Sequence, residues 1–106
     1  MSIEIHVRHE TEGATKKFAE VYAQQCAEQI VEKFTKVDNV HVVTDHQRFM
    51  YEAEFVVHVK GHTIEAKEHA ENLRSAIDTA AARVTKQLRK LSNKVEAVHT
   101  HQAKHV

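Results

Sequence analysis

Two periods of apolar and polar residues divide this chain into six elements. Ile3-Glu4-Ile5-His6-Val7 alternates residue by residue, the period of a half-buried strand. From about Thr15 to Phe34 the large apolar residues Phe18, Val21, Tyr22, Cys26, Ile30 and Phe34 recur at helical spacing. That spacing predicts one long amphipathic helix, with Thr11 or Thr15 as its cap. Asp38-Asn39 signals a turn. The β-branched run Val40-His41-Val42-Val43-Thr44 then predicts a strand, and Asp45-His46-Gln47 a hairpin turn. From Arg48 to Val59 the odd positions Phe49, Tyr51, Ala53, Phe55, Val57 and Val59 are apolar, so a long strand with one dry face is expected. Lys60-Gly61-His62 turns the chain, and Thr63 to Glu68 pairs back with Ile64 and Ala66 inward. From about Asn72 to Val95, Leu73, Ile77, Ala80, Val84, Leu88 and Leu91 form a continuous stripe, with Asn72 as N-cap.

The order strand, helix, three strands, helix predicts an α+β fold, β-α-β-β-β-α. Each helix has one apolar stripe and the sheet needs one face covered. Two helices packed on one face of a four-stranded, mostly antiparallel sheet satisfy both needs. A length of 106 residues allows one domain and no second core. Residues 1–95 make up that domain, and 96–106 read as a flexible His-rich C-terminal tail. No apolar run approaches the roughly 20 residues that span a bilayer, and Met1 to Arg8 lacks a signal-peptide core. A cytoplasmic protein with no membrane partner is expected. The single cysteine, Cys26, excludes an internal disulfide and reads as a buried, inert thiol.

Charge changes the picture. The net charge is zero, yet residues 1–72 hold 8 Lys/Arg against 13 Asp/Glu, and residues 73–106 hold 7 against 2. The first part carries −5 and the second +5, so a polyanion would meet the last helix first. On that helix Arg83, Lys86, Lys90 and Lys94 fall on one flank of the apolar stripe, with Arg89 farther round. No acidic residue lies between Thr79 and Val95 to neutralise them within the helix. Cations spaced every turn suit a ribose-phosphate backbone, gripped by charge and not read by base. The same pattern also describes a solvated basic face.

Other constellations carry less. His99, His101 and His105 lie in the tail, where nothing fixes the geometry a metal needs. His41 and His58 lie in strands as structural residues, and Glu52 and Glu54 share a solvated strand face. No nucleophile elbow, phosphate loop or metalloprotease motif appears. No enzyme activity, small-molecule substrate, cofactor or metal site is expected.

Three stretches resemble one family. Asp38-Asn39-Val40-His41-Val42-Val43 resembles the second strand of the hibernation-promoting factor and ribosome-associated inhibitor family, also named for sigma-54 modulation. His58-Val59-Lys60-Gly61, leading to Ile64 and Ala66, is similar as well. The strongest match is Leu73-Arg74-Ser75-Ala76-Ile77-Asp78 followed by Arg83-Val84-Thr85-Lys86-Gln87-Leu88-Arg89-Lys90. From about residue 34 to 95 the likeness needs no gap. The resemblance implies a β-α-β-β-β-α fold similar in outline to a double-stranded RNA-binding domain. It implies a translation inhibitor of idle ribosomes, active in stress, that binds ribosomal RNA of the small ribosomal subunit in the mRNA and tRNA channel. Arg83, Lys86, Lys90 and Lys94 match basic family positions, and Arg89 is an extra cation. The family's first helix is usually basic in its middle. Here Gln24-Gln25-Cys26-Ala27-Glu28 is neutral to acidic, which leaves Lys16 and Lys17 as the cations near that helix's start. A general structured-RNA-binding module, or a protein-interaction domain using the acidic N-terminal part, are the alternatives.

Overall fold

A computed structural model describes the backbone of residues 2–10 and 12–104 and the side chains of residues 2–10 and 12–92. The elements are β1 (Ser2–Arg8), α1 (Gly13–Lys33), β2 (Val37–Gln47), β3 (Met50–Val59), β4 (His62–Ala70) and α2 (Leu73–Lys104). The four strands lie in one sheet in chain order. β1 and β2 are parallel, Ile3 opposite Val40 and Ile5 opposite Val42. Parallel neighbours need a crossover, and α1 supplies it. β2, β3 and β4 pair antiparallel through two hairpins. Both helices cover one face of the sheet, so the expected architecture stands.

Local chemistry fixes the turns. Lys60 and Gly61 both have positive φ, 41° and 79°, and Val59 pairs with His62. Two positive φ values in a two-residue hairpin loop make a primed turn, for which glycine is the low-strain residue. The β2–β3 turn corrects the sequence-based expectation. It is Arg48-Phe49, not Asp45-His46-Gln47, because β2 runs on to Gln47, which pairs with Met50. Asp45 is buried and bonded to His9 at 2.7 Å and to Gln47 at 3.3 Å. His46 stacks on Tyr51 at 4.1 Å. These ties hold the segment in the sheet and leave Phe49 in the turn, 86% exposed. Asp38-Asn39 is likewise not a turn. The register of β2 against β3 shifts between Val37 and Asn39, a bulge inside the strand.

The core lies between sheet and helices. Val40, Val42, Ala53, Phe55 and Val57 face it from the sheet, and Ile77, Ala80 and Val84 from α2, all fully buried. Asn72 caps α2 as expected, its Oδ1 accepting from the Ser75 N–H at 2.8 Å. Glu12 occupies the N-cap position of α1 with no side-chain cap bond. α2 continues to Lys104, beyond the end near Val95 that the apolar stripe predicts. Neither glycine nor proline follows Val95, so nothing in the chain stops the helix there.

Candidate nucleic-acid interface

Two contacts set how the helices lie. Near the start of α2, Asp78 accepts the Tyr22 hydroxyl hydrogen bond and the Arg74 guanidinium sits 5.3 Å from the Tyr22 ring centre. At the other end Lys33 and Phe34 share a cleft with Leu88, Leu91 and Ser92. The two helices therefore run in the same direction. The bond to Asp78, then burial, raises the Tyr22 hydroxyl pKa, and burial raises that of the half-buried Cys26 thiol beside it. Cys26 is less enclosed than its place on the stripe suggests.

α2 presents its cations along the flank above β4. Arg83 pairs with Glu68 of β4 and reaches the Lys67 carbonyl at 3.5 Å. Gln87 donates to the Glu65 carbonyl at 3.4 Å, and Lys90 borders a groove with His62, Thr63 and Ile64. Lys86 lies on the crest. At about 100° per residue, Arg89 falls about 20° from Asp78 on the helical wheel, on the side facing α1. Arg83, Lys86, Arg89 and Lys90 are all exposed. Among the described residues, no carboxylate pairs with Lys86, Arg89 or Lys90. The row is therefore free except at Arg83, whose guanidinium a phosphate would have to share with Glu68. The side chain of Lys94 lies outside the described residues.

Lys16 and Lys17 are exposed but stand apart from this row. Lys17 precedes Tyr22 by five residues and Arg83 follows Asp78 by five. At a rise of about 1.5 Å per residue, about 15 Å of helix axis separates them. A different set joins the row instead. Lys33, Lys36, Lys60 and His62 rim a cleft of about 510 Å³ at the end where α1 stops and the β3–β4 hairpin turns. His62 borders both this cleft and the Lys90 groove. The sequence holds a signal for this cluster. With β1 and β2 parallel and two hairpins after them, the α1–β2 and β3–β4 loops must share an end, and α2 must run back toward it.

The opposite face of the sheet is uncovered and polar. Glu4 and His41 approach to 2.9 Å, and Glu52 and His69 to 2.7 Å. On the helix side of the sheet, beside Tyr51, Glu10 and His46 approach to 3.2 Å. Burial pushes the Asp45 carboxyl up, but hydrogen bonds from His9, Gln47 and the His46 backbone outweigh it and hold it below the usual carboxylate range. Burial raises the Tyr51 hydroxyl, with Glu10 and Glu12 adding to the effect. His41 and His58 meet edge to face at 6.3 Å, and His58 bonds Thr63 at 3.2 Å. Among the described residues, no helix is long and apolar enough to cross a membrane.

Residues 3–96 match the model of one family, the sigma 54 modulation protein / S30EA ribosomal protein family. Among solved structures, a ribosomal subunit interface protein from Coxiella burnetii superposes with a TM-score of 0.65 at 15% identity, over 88% of this chain and 99% of that one. The Protein Y N-terminal domain from Thermus thermophilus superposes with a TM-score of 0.70 at 20% identity, over 86% of this chain and 99% of that one. No curated protein matches the chain.

Proposed function

The chain belongs to the sigma 54 modulation protein / S30EA ribosomal protein family, and from that premise we propose that it is a cytoplasmic, non-enzymatic hibernation factor that binds the ribosome and inhibits translation. It binds the small subunit in the channel for mRNA and tRNA, and excludes both by occupying their space. The exposed side of α2 supplies the RNA contacts, through Lys86 and Lys90 on the flank above β4 and Arg89 on the side toward α1, with Arg83 exchanging Glu68 for phosphate and Lys94 continuing the row. Lys33, Lys36 and Lys60 extend that surface around the cleft, and Lys16 and Lys17 make a separate contact at the start of α1. Residues 96–106 are an appendage that ribosome binding does not require.

The observation that carries this reading is the row of exposed cations on α2 in which Lys86 and Lys90 have no carboxylate partner among the described residues, in a chain matched to a ribosomal family over residues 3–96. Such a row gains by releasing counterions from RNA.

Co-sedimentation with separated ribosomal subunits tests it. The protein should travel with the small subunit, and log affinity should fall linearly with log salt by several units. Lys86→Gln with Lys90→Gln should cut binding and reduce the slope by about two, one unit per phosphate contact. Arg8→Gln with Arg48→Gln removes equal charge from the far end of the sheet and should cost much less. Equal loss from both double variants would mean that charge alone, and not this helix flank, drives the association. Sedimentation with the large subunit only would reject the proposed site.

A further inference from the structure

We propose that the uncovered sheet face holds a site for a transition-metal dication of the zinc type, built from Glu4, His6 and His41. One ligand atom from each of the three lies within 4.8 Å of the other two. The fold produces this triangle. Glu4 and His6 are two apart on β1, so both point to the face away from the helices. The parallel register sets Glu4 opposite His41 and His6 opposite Val43. His41 therefore lies beside Glu4 across the strands and diagonal to His6. Nothing in the local sequence signals the trio, because His6 and His41 are 35 positions apart.

The donor set chooses the metal. Two imidazole nitrogens and one carboxylate oxygen suit zinc, nickel, copper or cobalt, whereas magnesium and calcium favour oxygen ligands. Tetrahedral bonds of about 2.0–2.2 Å put ligand atoms roughly 3.4 Å apart. Glu4 and His41 already approach to 2.9 Å, and rotation of exposed side chains brings in His6. A bound cation would sit between the Glu4 carboxylate and the His41 ring nitrogen, 2.9 Å apart. The fourth position opens to water. Neighbours fix the frame: Ser2 Oγ donates to Asn39 Oδ1 at 2.7 Å across the same two strands, and the His58 ring meets His41 edge to face. A bound ion would tie β1, an edge strand, to β2.

Calorimetric titration of the full chain with zinc chloride at neutral pH, followed by thermal unfolding, tests the site. One equivalent should bind tightly, and the unfolding midpoint should rise with zinc concentration, since an ion bound only to the folded state stabilises it by mass action. Magnesium should do neither. The tail offers competing imidazoles, so a variant with His99, His101 and His105 all changed to Ala is the control, and it should keep the site. His6→Ala and Glu4→Gln should each weaken it by at least about tenfold, a loss as large as an outer-shell change produces. Both positions are exposed, so the two variants should fold as the parent does by circular dichroism. Should one of them unfold, the other decides. Zinc binding lost in the tail variant and kept in His6→Ala and Glu4→Gln would overturn the proposal, as would no binding at all.

Discussion

The two helices cover the same sheet in different ways. α2 buries large residues, with Ile77 and Val84 fully enclosed and Leu73 and Leu88 nearly so. α1 buries a seam of alanines, Ala19, Ala23 and Ala27, fully enclosed, and ends it with Ile30. Its larger residues lie on the flank. Phe18 is 39% and Val21 43% exposed, and Phe18 stacks on Tyr22 at 5.3 Å instead of entering the core. α2 therefore holds the fold by volume and α1 by close approach. A buried side chain contributes in proportion to the apolar area it removes from water, so the same truncation must have unequal effects. Ile77→Ala should cost about 2–5 kcal/mol, read from the urea midpoint at unchanged m-value. Phe18→Ala should cost under about 1 kcal/mol, within reach of an ordinary surface change. Similar losses from the two would break the distinction.

Close approach has its own signature. Ala23 is fully enclosed in the core between α1 and the sheet. Ala23→Leu should destabilise by about 1–3 kcal/mol through overpacking. Val21→Leu, two residues away on the exposed flank, should be nearly silent. A stable Ala23→Leu variant would mean that α1 can lift from the sheet at little cost.

The same contrast explains what was legible in the sequence. On α2 the largest residues and the buried residues coincide, so its stripe reads directly. On α1 two stripes run one residue apart, Phe18-Tyr22-Cys26 and Ala19-Ala23-Ala27, about 100° apart on the wheel. Selecting by size picks the flank. Strand faces were legible because alternation has only two phases, and Phe55, Val57, Ile64 and Ala66 all face the core. The turn at Arg48-Phe49 was hidden, since what keeps Asp45 in β2 is its bond to His9, 36 residues away. Arg83, Lys86, Arg89 and Lys90 could be placed on one helix from spacing. Glu68 as partner of Arg83, and the gathering of Lys33, Lys36 and Lys60, depend on which loops meet.

The helix starts differ as well, and here substitution should move stability both ways. Asn72 accepts from the Ser75 N–H at 2.8 Å, so Asn72→Ala should cost about 1 kcal/mol. Glu12 has extended φ and ψ, −78° and 122°, suited to a cap, but makes no cap bond. A shorter carboxylate can reach the free N–H groups of the first turn. Glu12→Asp should therefore raise stability by up to about 1 kcal/mol, seen as a higher thermal midpoint. A fall would mean that the chain entering α1 is held by something other than its cap.

The smallest effect on folding should come from the cations of α2, which touch the core least. Arg83 is about half exposed and pairs with Glu68, an exchange worth about 0–1 kcal/mol in water. Lys86 and Lys90 have no carboxylate partner among the described residues, and they repel each other across one turn of helix. Changing Arg83, Lys86 and Lys90 together to Gln loses the first term and relieves the second, with little change in helix propensity. Stability should stay within about 1 kcal/mol of the parent, while binding to the small subunit drops sharply. Arg83→Gln alone should account for whatever stability is lost, and Lys86→Gln alone should be neutral or slightly favourable. Urea unfolding of the two single variants separates these terms. If Lys86→Gln destabilises more than Arg83→Gln, the flank of α2 contributes to packing as well as to charge, and the division of the helix into a core side and a charged side fails.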